Sequence, residues 1–338
     1  MRAVVYDKYG PPEVLQLREV EKPVPGDDEI LIKIRATTVN YGDITARNFR
    51  HIPARKFNMP LPLWFPSRIM FGLWKPKKRI LGSEFSGEVE AVGRNVRRFK
   101  PGEPVFGYRG QNMGTHAEYL VMPEKGVVAR KPQNLSFEEA AALPYGSLMA
   151  LNLLRKVNIQ DLAKNSGGKP KVLINGASGG MGSFAVQLAI YYGAEVTGVC
   201  SSAGLEFVKS LGADKVIDYT REDFTQSGER YDLIFDILGR SSFSRCKGVL
   251  AENGRYLLAS FKMKQLFQML LTSFRPGKKV VCALALEKPA DLEFIRELAE
   301  AGEIKTIIDQ VYPLEQAPQA HRRVEKGQRK GSVILRIA

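Results

Sequence analysis

The sequence predicts an α/β protein in which a β-rich module is followed by a parallel sheet covered by helices. Short alternating runs with turn punctuation fill residues 1–137. Apolar strands alternate with helical patterns over residues 138–304. A length of 338 residues also favours two domains. The tail, residues 305–338, returns to a strand–helix–strand pattern, and we expect it to rejoin the first module.

The β-rich module is predicted from strands whose apolar residues recur with period two. They are "RAVVY", "EILIKIRATTV", "GEVEAVG" and "AEYLVM". Turn pairs such as Pro25-Gly26 and Pro101-Gly102 separate them. These runs indicate antiparallel strands with one buried face.

The second region begins at a helix start signal. Ser136, with Glu139 three residues later, forms a capping box, and it predicts one helix over "SFEEAAALPYGSLMALNLL". Predicted strands then follow at "KVLIN", "EVTGVC", "KVID", "DLIFDIL", "RYLLAS" and "KVVCALAL". Predicted helices between and after them include "SSFSRCKGVL" and "ADLEFIRELAEAG". Near-continuous apolar strands of this kind predict a doubly wound parallel sheet.

Composition favours a soluble globular protein of a reducing compartment. The chain is 44% hydrophobic and 25% charged, and no apolar run approaches the roughly 20 residues that span a bilayer. Cys200, Cys246 and Cys282 lie far apart without a C-x-x-C pair, which argues against a disulfide framework. The first residues show no signal-peptide pattern. We therefore expect a cytoplasmic protein.

The net charge of +14 is concentrated in two segments. Residues 47–80 hold nine Lys or Arg and no acid, and residues 261–280 hold five and no acid. Both segments are also rich in large apolar residues, which suits peripheral contact with an anionic membrane. As an alternative, the two segments form a lid and contacts within a dimer, and their charges are solvated. Binding of nucleic acid is a third alternative, but no nucleic-acid motif supports it.

The stretch "INGASGGMGS" agrees with two different turns. Gly176-Ala177-Ser178-Gly179-Gly180 matches the G-x-S-x-G of a hydrolase, with Asp236 and His321 in the required order. His321 lies in a helical pattern, however, where the catalytic base of a hydrolase is not expected.

The same stretch also fits a dinucleotide-binding turn, because it follows a strand and opens an apolar helix. Gly179 would admit the pyrophosphate, and Gly182 would allow close packing of helix and strand. The helix amides at Gly180 and Met181 would meet the negative charge. Ala177 replaces the first glycine, and Ser178 is then a small loop residue.

The end of the next strand indicates which dinucleotide is bound. An NAD enzyme normally has Asp or Glu there, whereas this chain has Cys200-Ser201-Ser202. Ser201 and Ser202, with Tyr219 from the following strand, favour NADPH. The Arg or Lys expected just after the serines is missing, since Ala203 and Gly204 stand there.

Several motifs together resemble the medium-chain dehydrogenase/reductase superfamily, and most closely its zinc-free quinone oxidoreductase branch. They are "GPPEVLQLREVEKP", "ATTVNYGD", "LGSEFSGEVEAVG", "GTHAEYL", "NGASGGMG", "SLGADKVIDY" and "GRYLLAS". The resemblance implies a GroES-like catalytic domain (1–137 and 305–338), a Rossmann NADP-binding domain (138–304), a cleft active site and a homodimer. It also implies cofactor contacts at Asn40, Leu238, Gly239, Leu258, Ala259 and Ser260.

The resemblance further implies a reaction without zinc. The family's catalytic cysteine position holds Asn40, its Gly-His-Glu is Gly82-Ser83-Glu84, and no cysteine precedes Cys200. We expect no metal at these positions, so alkoxide formation loses its main support. An electron-poor acceptor, a quinone or an α,β-unsaturated carbonyl, is then the expected substrate.

Three residues of "NYGD" are the catalytic candidates that the resemblance provides. Asn40 is expected to contact the nicotinamide or a substrate oxygen, and Tyr41 to line the pocket or donate a proton. Asp43 lies on the same segment. An enoyl-thioester reductase is an alternative, although its usual catalytic tyrosine is not evident. A second alternative is an NADPH-binding protein that acts through its basic membrane- or RNA-binding surface.

Overall fold

A computed structural model describes residues 1–54, 57, 60–165, 168–327 and 330–337. The described strands are β1 Arg2–Val5, β2 Gln16–Glu19, β3 Glu29–Val39, β4 Glu84–Val92, β5 Pro104–Tyr108, β6 Tyr119–Pro123, β7 Val128–Arg130, β8 Lys171–Asn175, β9 Glu195–Cys200, β10 Lys215–Asp218, β11 Tyr231–Asp236, β12 Leu250–Leu258, β13 Lys279–Cys282, β14 Ile308–Pro313 and β15 Ser332–Arg336. The described helices are α1 Tyr41–Arg47, α2 Trp64–Phe71, α3 Phe137–Ala141, α4 Pro144–Lys156, α5 Ile159–Asn165, α6 Gly180–Tyr191, α7 Leu205–Ser210, α8 Phe243–Cys246, α9 Met263–Ser273, α10 Pro289–Glu300 and α11 Ala317–Glu325.

The chain divides into two units. The first contains Met1–Lys56, Phe65–Tyr145 and Glu287–Ala338, and the second contains Phe57–Trp64 and Gly146–Leu286. Helix α10, which the sequence prediction places in the nucleotide domain, lies in the first unit and packs on β7. Its end is held there by Asn134 Nδ2, which donates to Ala299 O at 3.0 Å. The predicted domain boundaries themselves stay a prediction.

The first unit is built on a mostly antiparallel sheet that combines strands of the first module with two strands of the C-terminal tail, β14 and β15, which pair parallel with each other. Its strand order is β14-β15-β3-β4-β5-β7, with β6 also paired to β3. Strand β15 pairs antiparallel with β3, with Val333 opposite Val39, so the tail rejoins the first module as expected. The inward residues of β3, such as Ile30, Ile32 and Ile34, are fully buried, which is what the period-two pattern predicts.

The second unit is a parallel sheet of order β10-β9-β8-β11-β12-β13. Every adjacent pair is parallel. Val172, Leu173 and Ile174 of β8 are all fully buried, because helices cover both faces of such a sheet. The order is that of a doubly wound dinucleotide-binding fold. The predicted fold class is thus confirmed.

Three element predictions were wrong in part. The helix predicted from Ser136 is divided into α3 and α4, because Pro144 lacks the amide that would continue it. The helix predicted over "SSFSRCKGVL" is only α8, and Leu250 already belongs to β12, whose buried apolar residues complete the sheet. The strand predicted over "KVVCALAL" ends at Cys282. The capping box of Ser136 and Glu139 is present.

Among the helices that the structure describes, none is long and apolar enough to cross a bilayer.

Candidate active site

Asn40 lies between β3 and α1, and its side-chain amide has its hydrogen-bonding groups satisfied by the protein. Its Oδ1 accepts from the amides of Gly42 at 2.8 Å and Asp43 at 3.3 Å. Its Nδ2 donates to Ser83 Oγ at 3.0 Å and to Glu84 Oε2 at 3.5 Å. Since two backbone donors can meet only the oxygen, the orientation of this amide is fixed. Asn40 is therefore the N-cap of α1, and its amide has no group left over for a substrate.

The other two residues of the segment have different environments. Asp43 is fully buried and completes a capping box: its Oδ2 accepts from Asn40 N at 2.8 Å, and its Oδ1 accepts from Gly82 N at 2.8 Å. Tyr41 is 62% exposed. Asp43 thus joins α1 to the loop before β4, whereas Tyr41 is open to solvent in this unit.

Gly82 occupies a backbone conformation that this junction requires. Its φ is +85°, and an added Cβ would lie 2.2 Å from Thr115 Oγ1 and 2.4 Å from the His116 ring. Only glycine permits such close packing here. The loop that carries Ser83 and Glu84 is therefore held tightly against its neighbours.

Glu84 is a buried carboxyl whose two oxygens both accept hydrogen bonds. Oε1 accepts from Tyr145 N at 2.8 Å, and Oε2 accepts from Thr38 Oγ1 and Asn40 Nδ2. Burial raises the pKa of the Glu84 carboxyl to about 7, although these hydrogen bonds act in the opposite direction. The carboxyl therefore holds its proton to a higher pH than an exposed glutamate does.

The Ser83 hydroxyl has a free proton. Because Nδ2 of Asn40 is the donor in their contact, Ser83 Oγ is the acceptor and its own proton points elsewhere. No described residue accepts that proton. A hydroxyl that accepts one hydrogen bond is polarised to donate another. The site therefore offers a neutral donor at Ser83, the residue that the resemblance aligns with the histidine of zinc-binding members.

The donor set around Asn40 does not fit a catalytic zinc. Zinc needs Cys, His or carboxylate ligands in tetrahedral geometry, and this position offers an amide, a hydroxyl and a carboxyl engaged in three hydrogen bonds. Within the described part of the chain, no cluster of three or more His, Cys, Asp or Glu side chains could hold a metal.

Tyr108 and Tyr145 form an aromatic pair beside Glu84 that the sequence analysis did not identify. Tyr108 is directly opposite Glu84 in the β4–β5 register, and the two tyrosine rings lie 6.0 Å apart. Burial raises the pKa of Tyr108 well above its usual value. The signal in the sequence was weak, because the register between two strands is not evident from either strand alone.

In the second unit, the glycine loop has the features that bind a phosphate. Gly176 has φ +100°, and an added Cβ at Gly182 would lie 2.1 Å from Gly176 O. The loop is fixed because the amides of Gly176 and Ala177 both donate to Val199 O at 3.0 Å. Helix α6 begins at Gly180, and the amides of Gly180 and Met181 meet no acceptor among the described residues. Unpaired amides at a helix N-terminus fit a pyrophosphate.

The remaining predicted cofactor residues lie along the same edge of the sheet. Because the strands are parallel, the residues that follow their carboxyl ends meet there. These residues are Ala177, Ser178, Gly179, Ser201, Ser202, Tyr219, Leu238, Gly239, Leu258, Ala259 and Ser260. Leu238 and Tyr219 are exposed, and Leu258 is buried at the end of β12. The loops after β11 and β12 approach closely, since a Cβ on Gly239 would lie 2.7 Å from Ser260 O.

The hydrolase alternative lacks support in the geometry. Asp236 is buried, and its carboxylate accepts from Asn175 Nδ2 at 3.0 Å, Tyr256 OH at 2.7 Å and Ser241 N at 2.9 Å. It therefore joins the ends of three strands. His321 is buried on α11 with Nδ1 on Arg47 Nη1 at 2.7 Å. Both groups have structural partners of their own.

A carboxylate that the sequence analysis missed lies beside Ser202. Strand β10 pairs with β9 so that Asp218 is opposite Cys200, and Ser202 Oγ donates to Asp218 Oδ2. This bond, with others from Thr220, lowers the pKa of Asp218. The same strand end brings Arg221, 80% exposed, to 3.8 Å from Asp218. This strand end therefore places a cation, Arg221, near the serines, although none follows them in the sequence.

Comparison with known proteins agrees with this architecture. A family model described as "Alcohol dehydrogenase GroES-like domain" matches residues 26–133, and one described as "Zinc-binding dehydrogenase" matches residues 211–335. The chain is 32% identical to the chloroplast envelope quinone oxidoreductase homolog of Arabidopsis thaliana, over 99% of this chain and 98% of that protein. It is 32% identical to the mitochondrial NAD(P)H oxidoreductase RTN4IP1 of Mus musculus, over 100% of this chain and 89% of that protein.

A solved structure has the same fold over the full length of the chain. The quinone oxidoreductase from Coxiella burnetii superposes with a TM-score of 0.82 at 26% identity, and the match covers 100% of this chain and 99% of that one. Full-length similarity to relatives above 30% identity shows the family, and the predicted resemblance is confirmed. The chain belongs to the medium-chain dehydrogenase/reductase family, in its quinone oxidoreductase-like branch, and is an oxidoreductase that uses a nicotinamide cofactor.

Proposed function

We propose that this protein is a zinc-independent, NADPH-dependent reductase of quinones or α,β-unsaturated carbonyls. The observation that carries the proposal is the Asn40–Ser83 arrangement, which supplies a hydroxyl donor where zinc relatives have a metal ligand. A donor of this kind can stabilise negative charge that develops on a carbonyl oxygen. It cannot lower the pKa of an alcohol as a metal does.

The glycine loop, residues 176–182, would hold a nicotinamide cofactor, which would supply a hydride to the β-carbon of an enone or to a quinone. Negative charge then develops on the acceptor oxygen, and the Ser83 hydroxyl donates a hydrogen bond to it. Asn40 does not touch the substrate; it positions Ser83 through Nδ2. Water supplies the final proton, and the exposed Tyr41 remains the predicted lining residue.

The proposed preference for NADPH rests on the end of β9, which carries two serines and no acid. Ser202 already donates its proton to Asp218, so it does not serve as a donor to a 2′-phosphate. Arg221, Tyr219 and Ser201 take that role in this proposal. Asp218 acts against them, because a carboxylate repels a phosphate.

The test is oxidation of NADPH by chelator-treated protein with a panel of quinones and enones, with NADH in parallel. We expect turnover without metal and a lower KM for NADPH than for NADH. A comparison of kcat/KM between quinones and enones will show which of the two classes is the better substrate. A requirement for added zinc would contradict the proposal.

Two further predictions accompany this function. A homodimer and a cytoplasmic location stay predictions, and light scattering of the purified protein and imaging of a tagged chain would check them. The two relatives are named as chloroplast-envelope and mitochondrial proteins.

A further inference from the structure

The outer face of α9 is apolar, which is the reverse of an ordinary surface helix. Its inner residues, Leu266 and Met269, pack on the core of the second unit. Its outer side carries exposed large residues spaced as one helical face, which we call the α9 face. They are Met263, Phe267, Leu270, Leu271 and, just after the helix, Phe274, which is 82% exposed.

The α9 face is held on a firmly anchored helix. Lys279 Nζ donates to Thr272 O at 2.8 Å and to Ser273 O at 3.2 Å, which satisfies carbonyls at the C-terminus of the helix. Val280 N donates to Thr272 Oγ1 at 3.1 Å, so β13 is bonded to the same turn. The apolar side chains are therefore presented on a fixed element.

Positive charge lies at both ends of the α9 face. Lys262 and Lys264 are exposed at its start, and Arg275 is exposed just after its end. Residues 261–280 contain no acid.

A cavity of about 700 Å³ opens beside the end of α9 and adds to this charge. Four of its lining residues are basic and one is acidic: Arg230, Lys247, Arg275, Lys278 and Glu252. Within the described residues, the side chains of Lys247 and Arg275 have neither a hydrogen bond nor an ion pair. These cations are thus available to an anion.

We propose that the α9 face and this basic cavity dock the protein onto an anionic membrane surface. The apolar side chains enter the interface between headgroups and acyl chains, while the cations bind lipid phosphates or carboxylates. A second copy of the chain fits less well, because a two-fold contact through this face would bring its basic clusters together. RNA also fits less well, because leucine and methionine side chains offer no ring for stacking.

The experiment is flotation of the full-length protein with vesicles of phosphatidylcholine, with and without phosphatidylserine. We expect binding only to the anionic vesicles, with weaker binding at high salt. Phe267→Ser and Phe274→Ser should each weaken binding about tenfold. In the double variant Arg275→Glu with Lys278→Glu, each reversed charge should weaken vesicle binding about fivefold or more.

Two exposed apolar residues outside the α9 face serve as controls. Val24→Ser and Trp74→Ser alter side chains that are 85% and 75% exposed and should bind vesicles like the unmodified protein. The melting temperatures of the Phe267, Phe274, Val24 and Trp74 variants should be unchanged, since each alters an exposed side chain.

Three results would overturn the proposal. The first is equal vesicle binding by the Phe267 and Phe274 variants and the unmodified protein. The second is loss of binding in Trp74→Ser to the same extent, which would move the contact away from α9. The third is a change of oligomeric state in Phe267→Ser with vesicle binding intact, which would make the α9 face a contact between copies. Turnover of a water-soluble quinone tests the proposed function separately.

Discussion

At the scale of single residues, the proposed role of Ser83 depends on its neighbour Asn40, which donates a hydrogen bond to the Ser83 hydroxyl. The amides of Gly42 and Asp43 fix the Asn40 oxygen, and this leaves Nδ2 as the donor to Ser83. The direction of that bond decides which way the Ser83 proton points. The first residues of α1 thus orient the Asn40 amide, and the orientation of that amide leaves the Ser83 proton available.

Ser83→Ala should lower kcat for enones about 100-fold, because one donor to the developing oxyanion is lost. The KM for NADPH should stay unchanged, since the glycine loop is untouched. Ser83→Thr is the matched control and should retain most of the activity, because it keeps the hydroxyl. Steady-state kinetics of the unmodified protein and the two variants measures this effect. A kcat for Ser83→Ala within about twofold of the unmodified protein would refute the proposed role of Ser83 as a donor to the oxyanion.

The pH profile of turnover should report Glu84. Its pKa is raised to about 7, so the carboxyl is neutral below that pH and negative above it. A negative charge beside Ser83 opposes a developing oxyanion, so kcat should fall as pH rises through about 7. Glu84→Gln keeps the shape of the side chain and should remove this inflection. An inflection that persists in Glu84→Gln would assign the profile to another group.

At the scale of elements, the pairing of β9 with β10 determines which side chains lie around Ser202, where the proposal places the cofactor ribose. Asp218 accepts a hydrogen bond from Ser202, and Arg221 lies 3.8 Å from Asp218, although neither residue follows Ser202 closely in the sequence. A prediction made along β9 alone finds no acid and no cation. Side chains from the neighbouring strand become visible only when the register is known.

Exchange of charge at this strand end should change the choice of cofactor. Arg221→Ala should raise the KM for NADPH about tenfold and leave that for NADH nearly unchanged, because only NADPH carries the 2′-phosphate. Asp218→Asn should have the opposite effect, since it removes a repelling carboxylate. Lys209→Ala, from the same unit, is the control and should alter neither constant. Equal changes for both cofactors in Arg221→Ala would show that the residue does not read the phosphate.

The elements themselves were largely predictable, because long periodic runs carry a strong signal. The eleven residues of β3 were predicted at their observed bounds. Local chemistry caused the errors: Pro144 divided one helix, and Leu250 was assigned to a helix although the sheet required it as a strand. The site was less predictable than the fold. Asn40 was identified, but the hydrogen bonds of its amide, on which the proposed role of Ser83 rests, are evident only from distances.

At the scale of the whole molecule, a buried pair of histidines should set the acid limit of stability. His116 and His321 are fully buried with rings 5.7 Å apart, and burial lowers the pKa of both. His116 Nε2 donates to Thr38 O, and His321 Nδ1 accepts from Arg47. Both rings are therefore neutral in the folded protein.

The free energy of unfolding should fall with pH below about 6.5, where the unfolded chain binds protons that the folded rings exclude. The expected slope from this pair approaches about 2.7 kcal/mol per pH unit, or about 1.4 for each histidine. Denaturant unfolding at several pH values measures it. His51→Gln, at an exposed site, should keep the slope, and His321→Gln should lower it by about 1.4 kcal/mol per pH unit. The raised pKa of Glu84 contributes a slope of the opposite sign in this range, so the difference between His321→Gln and the unmodified protein is the test. An unchanged slope in His321→Gln would show that this ring binds a proton in the folded state.

The pairing of β15 with β3 has a consequence for how the chain is made. Residues Ala36–Val39 of β3 are synthesised long before their partners, Val333–Arg336. Most of the second unit is translated in between as one continuous segment, 146–286, and can fold first. During that interval the free edge of β3 is open to pairing with other chains. Nascent chains arrested before Ser332 should therefore depend most on chaperones.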